Sequence, residues 1–102
     1  MKFEFTAVAE LELDEAIAYY NAHAGLGDEF AAKVGRAVQQ VLQYPQAWQV
    51  VDERDGTRRF RLKRFPYGLV YTVQGDIVLG LAVMHMRREP EYWRERLKKK
   101  RE

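Results

Sequence analysis

Apolar side chains recur along this 102-residue chain in two different rhythms, and the change from one to the other falls near Pro45. From Lys2 to Phe5 polar and apolar residues alternate, the period of a strand with one buried face. Beyond Thr6 the spacing lengthens. Ala9, Leu13, Ala16, Ile17 and Tyr20 recur at helical intervals, which predicts a helix from about Ala7 to Ala24 with that stripe toward the core. Thr6 is placed to cap it. Glu10, Glu12, Asp14 and Glu15 crowd its first half, where carboxylates interact well with the helix dipole. Gly25-Leu26-Gly27 breaks the pattern and reads as a turn, since it lacks the context of a phosphate-binding loop. Asp28 can restart a helix, and Phe30, Val34, Ala37, Val38, Val41 and Leu42 form a second stripe that stops before Pro45. So short a link makes the two helices antiparallel neighbours, a helical hairpin.

Past Ala47 the period becomes that of strands. Trp48 to Val51 is a short strand, Asp52 to Gly56 a polar loop, and Arg58 to Arg64 a second strand. In the latter Arg59, Arg61 and Lys63 fall on one side, Phe60 and Leu62 on the other. Phe65-Pro66-Tyr67-Gly68 turns the chain into a strand from Leu69 to Gln74, and Gln74-Gly75-Asp76 suits a tight hairpin. Ile77 to Met86 is apolar at odd and even positions alike, as in a central strand covered on both faces. Pro90 suits the start of a last helix, with Trp93 and Leu97 one turn apart. The predicted order is β-α-α-β-β-β-β-α. The expected class is α+β: a twisted, mostly antiparallel sheet with the helical hairpin packed on one face, in a single domain spanning residues 1–102.

Composition narrows the picture little until charge is divided along the chain. The chain has no cysteine, so neither a disulfide framework nor a thiolate metal site can form. Met1 to Ala9 carries Lys2, Glu4 and an alternating pattern, unlike a signal peptide. The longest apolar run, Ile77 to Met84, is too short to span a bilayer, so a cytoplasmic protein without membrane association is expected. Net charge is only +2, but residues 1–55 hold four Lys/Arg against ten Asp/Glu, whereas residues 56–102 hold thirteen against five. That asymmetry favours a surface for polyanions or an acidic partner. Attraction between the halves, or solvation of the charges, explains it equally well.

Three blocks carry a family resemblance. They are A-E-L-E-L-D-E-A-I-A-Y-Y (Ala9 to Tyr20), V-L-Q-Y-P-Q-A-W (Val41 to Trp48), and the strand set from Arg58 onward with F-P-Y-G-L-V-Y and V-M-H-M-R-R-E-P-E-Y-W-R-E-R. Together they resemble the RelE/ParE superfamily of bacterial toxins, the poisons of type II toxin–antitoxin pairs, which include plasmid-stabilisation proteins. The resemblance implies the fold reached above and restraint by a cognate antitoxin, whose extended or helical segment would cover the helical hairpin or a sheet edge. RelE-like members are ribosome-dependent mRNA endoribonucleases; characterised ParE-like members poison DNA gyrase. In RelE-like nucleases an arginine follows the aromatic of the turn, where it can neutralise the scissile phosphate, and here that position is Gly68. The F-P-Y-G turn, the V-x-H strand end and the R-R-x-P-x-Y-W tail look more like the ParE branch.

Candidate chemistry rests on few residues. His23, at the end of the first helix, suits the negative end of the dipole. His85 ends the central strand two residues before Arg87, which would point both to one face of a continuing strand. A nuclease would use His85 or Tyr71 for proton transfer, with Arg61, Lys63 and Arg87 around the phosphate. Attack by the RNA 2′-hydroxyl requires no metal, and neither a metal nor a cofactor is expected. A strand-end histidine can equally just bond a neighbouring carbonyl. The binding reading assigns Arg59, Arg61, Lys63, Arg87 and Arg88 to a surface for target or phosphate. Basic residues on a sheet edge also prevent sheet-to-sheet aggregation. Tyr67, Tyr71, Tyr92 and Trp93 suit either base stacking or packing.

Three functions follow. The first is a ParE-like toxin that inhibits DNA gyrase by binding. The second is a RelE-like endoribonuclease acting on mRNA at the ribosome, and the third a non-toxic binding module of the same fold. Homodimers and hetero-oligomers with the antitoxin are both compatible with the sequence.

Overall fold

The computed structural model describes residues 1–88 and 92–96. Its elements are β1 (Lys2–Phe5), α1 (Ala7–Ala24), α2 (Gly27–Gln43), β2 (Gln49–Asp52), β3 (Thr57–Arg61), β4 (Tyr67–Gln74) and β5 (Ile77–His85). The expected α+β class and helical hairpin are present. At its start, the Thr6 hydroxyl accepts the Ala9 N–H at 3.2 Å, satisfying one of the donors a helix start leaves free. Gly25 ends α1 in the left-handed region at φ 67°. Its N–H reaches the Asn21 carbonyl at 3.2 Å, and the Leu26 N–H reaches Tyr20 at 3.1 Å, the pairing that closes a helix on glycine. α2 then starts with Asp28 and Glu29 in its first turn and buries Phe30, Val34, Ala37 and Val41.

The strands form one sheet in the order β1-β5-β4-β3-β2. β1 joins β5 in parallel, and the other neighbours are antiparallel. The helical hairpin covers one face: Ala16, Phe30, Val34 and Val41 pack with Leu69, Tyr71, Val78 and Val83. Phe30 lies 5.2 Å from Tyr20 and 5.1 Å from Phe65 between ring centroids, so truncating it to alanine costs about 3–5 kcal/mol. On the other face Val70, Leu79, Leu81, Ala82 and Met84 pack beneath Trp93, which is 1% exposed. β5 is apolar at successive positions because both its faces are covered. Val78 and Val83 pack toward the hairpin, Leu79 and Met84 toward Trp93. A bulge interrupts its pairing. Val70 faces Ala82 and Tyr71 faces Gly80, leaving Leu81 as the extra residue.

The segment carrying Trp93 is fastened at two points. Arg94 meets Asp52 at 2.9 Å, and Arg96 meets Glu12 at 2.7 Å. Burial would raise the Asp52 carboxyl, but hydrogen bonds from the Arg54 side chain and backbone, with the charges of Arg54 and Arg94, outweigh it and hold the group below its ordinary value. Of the predicted last helix, only a short helical stretch at residues 94–96 is described. Pro90, Leu97 and the basic tail lie outside the described residues. No described helix is long and apolar enough to cross a membrane.

Several predicted boundaries move. β2 starts one residue later than expected, at Gln49. β3 stops at Arg61, because Arg64 adopts φ 76° and the Leu62 N–H bonds the Tyr67 carbonyl at 2.9 Å, folding Lys63 into the turn. β4 takes in Tyr67 and Gly68, which pair with His85 and Met84. β5 ends at His85: the Met86 N–H makes the next ladder bond, to the Pro66 carbonyl at 2.8 Å, but proline has no N–H to return it.

Candidate functional site

The basic strand has unequal members. The Arg58 guanidinium donates to the carbonyls of Gln46 and Trp48, each at 2.8 Å, and to the Gln46 side-chain oxygen at 2.9 Å. It fastens the chain leading into β2. Arg59 lies half-buried and reaches the Gln49 side chain at 3.1 Å. Desolvation, then the charge of Arg61, lowers its pKa from the usual guanidinium range. Arg61 and Lys63 are exposed. Beside them a cavity of about 610 Å³ opens between α2 and β3, and Lys33 and Arg36 of α2 line it together with Arg59, Arg61 and Lys63. The structure therefore brings three of the predicted cations together and adds two that sequence reasoning missed. At i and i+3 on a polar helix face, Lys33 and Arg36 look like solvated charges; only tertiary packing sets them against β3.

Gly68 gains its meaning from Arg59. A Cβ at position 68 would sit 2.9 Å from both the Cγ and Cδ of Arg59 and 3.3 Å from the Met86 sulfur. The arginine stem thus occupies the space that a side chain on Gly68 would fill.

The nuclease candidates do not converge. Cross-strand partners share a face of a sheet. Tyr67 pairs with His85, whereas Gly68 pairs with Met84 on one side and Arg61 on the other. His85 therefore lies on the helix-hairpin face with Tyr67, their rings 5.2 Å apart, and Arg61 belongs to the opposite face. Tyr71 is fully buried in the helix-side core, and its hydroxyl donates to the Pro45 carbonyl at 2.8 Å. Burial pushes its phenol up to about 12. Its hydroxyl thus faces the chain's own backbone inside the core. Arg87 does not continue the strand as expected. It sits in a turn closed by the Arg88 N–H on the His85 carbonyl at 2.9 Å, and its own N–H donates to His85 Nδ1 at 3.0 Å. A neutral His85 then carries its proton on Nε2.

The remaining candidates are structural in their contacts. The Arg88 guanidinium lies 4.1 Å from the Tyr92 ring centroid, and that of Arg96 lies 4.7 Å from it. The Tyr92 hydroxyl donates to Glu12 at 2.7 Å. Burial, then that carboxylate, raises the phenol's pKa. Tyr92, Tyr71 and Trp93 are packing residues rather than a stacking platform, and Tyr67 joins Tyr20 and Phe30 in the hairpin-side aromatic cluster. His23 is 2.8 Å from the Tyr19 carbonyl through Nδ1 and stacks on the Tyr19 ring at 4.2 Å. Among the described residues no group of three or more His, Asp or Glu side chains could hold a metal ion.

Glu12 was legible only as a carboxylate in the first half of a helix. In the fold it is a hub. It accepts from Val83 N–H at 3.1 Å, from Tyr92, and from both terminal nitrogens of Arg96 at 2.7 and 3.1 Å.

Comparison with known proteins bears on the fold and the family. A solved chain from the chromosomal ParDE toxin–antitoxin system of P. aeruginosa shares the fold, with a TM-score of 0.73 at 22% identity over 83% of this chain and 95% of that one. A search of curated proteins found no significant match. The family description of the ParE toxin of the type II toxin–antitoxin system parDE matches residues 3–90. With nearly the whole described chain matched, the protein belongs to the ParE toxin family of type II toxin–antitoxin systems.

Proposed function

We propose that this toxin acts in the cytoplasm by binding DNA gyrase, performs no covalent chemistry of its own, and is neutralised by its cognate antitoxin. The observation that carries the reading is the separation of His85 from Arg61 onto opposite faces of the sheet. A metal-free ribonuclease needs its proton-transfer group and its phosphate-binding cations within reach of one phosphodiester. The filled space above Gly68 adds to this, because an arginine there would have to displace Arg59. The clustered cations Arg59, Arg61, Lys63, Lys33 and Arg36 suit recognition rather than turnover.

The test uses purified protein in two assays. In DNA supercoiling by gyrase it should inhibit and accumulate cleavage complexes, and in ribosome-programmed mRNA cleavage it should leave the message intact. Cut mRNA with untouched gyrase would replace this reading by the RelE-like one. Activity in neither assay, with harmless overexpression, would leave a non-toxic binding module.

A further inference from the structure

Most arginines of the described chain already have partners. Arg54, Arg64, Arg94 and Arg96 meet carboxylates, and Arg58 and Arg59 hydrogen-bond to Gln46, Trp48 and Gln49. The side chains of Lys33, Arg36, Arg61 and Lys63 have none among the described residues, yet all four line the cavity of about 610 Å³ between α2 and β3. Glu29 stands one turn before Lys33 on α2, at the spacing of a helical ion pair, but Arg64 takes it. No carboxylate is among the described lining residues. Like charges gathered without a counter-charge repel one another. That field is felt inside the cluster, where desolvation and then the Arg61 charge lower the pKa of Arg59. The buried side-chain atoms of the lining without a hydrogen-bond partner, Trp48 Nε1 and Arg59 Nε, are also donors. These unmet groups all call for negative charge or an acceptor.

The cations form two walls. Lys33 and Arg36 lie one turn apart on α2, whereas Arg61 and Lys63 lie at and beyond the end of β3. Trp48 and Phe60, with ring centroids 4.6 Å apart, supply apolar surface. The volume falls within the roughly 300–1,000 Å³ of small-molecule sites. An extended peptide sets same-face side chains roughly 7 Å apart, each with at most one charge. Linked phosphates crowd several charges into the length of one or two residues. A nucleic-acid duplex is convex and would meet only the rim.

We propose that this cavity is a site for a short chain of linked phosphates, borne by a nucleoside triphosphate or by free polyphosphate. The guanidinium forks of Arg36 and Arg61 grip phosphate oxygens from opposite walls, and Lys33 and Lys63 add point charges. An occupant bridges α2 to β3, so it binds the folded protein and raises its melting temperature. This rests on the cations that the gyrase reading assigns to recognition, but not on gyrase as the target. Gyrase assays and phosphate titrations therefore fail independently.

Calorimetric titration and thermal denaturation with sodium tripolyphosphate, ATP and sulfate, all at one ionic strength, test the site. Four proteins are compared, with folding checked by circular dichroism. They are wild type, Lys33→Gln/Arg36→Gln, Arg61→Gln, and Lys2→Gln/Arg87→Gln, which removes two exposed cations outside the cavity. Wild type should bind tripolyphosphate more tightly than sulfate and melt at a higher temperature with it. The α2 double variant should weaken binding about tenfold or more. Arg61→Gln should weaken it too, and the charge-matched Lys2/Arg87 variant should bind as wild type. Unchanged affinity in the α2 variant, or equal loss in both double variants, overturns the proposal. So does a wild type that ignores tripolyphosphate or holds sulfate equally well. Arg61→Gln decides the matter if the α2 variant does not fold. ATP binding more tightly than tripolyphosphate assigns the apolar wall to a base, and equal affinity assigns the site to the phosphate chain alone; both uphold it. A single-stranded oligonucleotide that binds where tripolyphosphate does not would give these cations to nucleic acid and overturn the proposal.

Discussion

Replacing Glu12 with alanine should be among the most damaging single changes a charged residue of this protein can suffer. The carboxylate takes Val83 N–H, the Tyr92 hydroxyl and two nitrogens of Arg96, and the Glu12 and Arg96 side chains are only 15% and 16% exposed. Alanine leaves a β5 amide without its acceptor and a mostly buried guanidinium with the Leu81 carbonyl at 2.9 Å and the Tyr92 ring, but with no counter-charge in contact among the described residues. Removing one partner of a buried ion pair costs about 3–5 kcal/mol, because the surviving charge stays desolvated. For a domain this size that is a loss of roughly 12 °C or more in Tm. Replacing both partners, as Glu12→Leu/Arg96→Leu, removes the stranded charge, so the double variant should lose less than the sum of the singles. Urea denaturation followed by tryptophan fluorescence reads all of these, since Trp93 belongs to the segment that Arg96 fastens. A cost below about 1 kcal/mol for Glu12→Ala, the value for an exposed pair, would refute the reasoning.

Gly68→Ala should cost about 1–3 kcal/mol through crowding against the Arg59 stem, and Arg59→Ala should remove most of that cost, as a double-mutant cycle by denaturation will show. His85→Ala should retain growth inhibition on induction in cells, because its imidazole lies on the sheet face opposite Arg61. Acid titration should expose Asp52. Its folded-state pKa lies below the ordinary 3.8, so the unfolded chain takes up the proton more readily and the stabilisation drains as pH falls below that value. Asp52→Asn should lose stability at neutral pH and show a flatter acid limb in denaturation midpoints.

What could be read from sequence was local in origin. The α1 boundaries, the Thr6 cap, the Gly25 stop and both helical stripes depend on residues within a turn or two of one another, and all are where periodicity puts them. Alternation, apolar runs and the turn residues between them also located all five strands. Pairing was not legible. Nothing in Lys2–Phe5 says that it joins β5 in parallel, and the bulge at Val70 and Tyr71 has no local signal. The consequence for function is large. The even spacing of Arg59, Arg61 and Lys63 suggested one continuous face, but the left-handed Arg64 folds Lys63 into a turn. Tyr71 was a candidate for catalysis as well as for packing, and its hydroxyl lies on the Pro45 carbonyl. The opposition of His85 to Arg61 follows from register across three strands, which a linear chain does not display.

The most direct test of the account is pulse-labelling of DNA and protein synthesis within minutes of inducing the chain in bacteria without its antitoxin. Inhibition of gyrase by binding predicts that DNA synthesis fails first, accompanied by an induced damage response. Protein synthesis failing first, with mRNA cut on ribosomes, would contradict it and return His85 and Arg87 to a catalytic role.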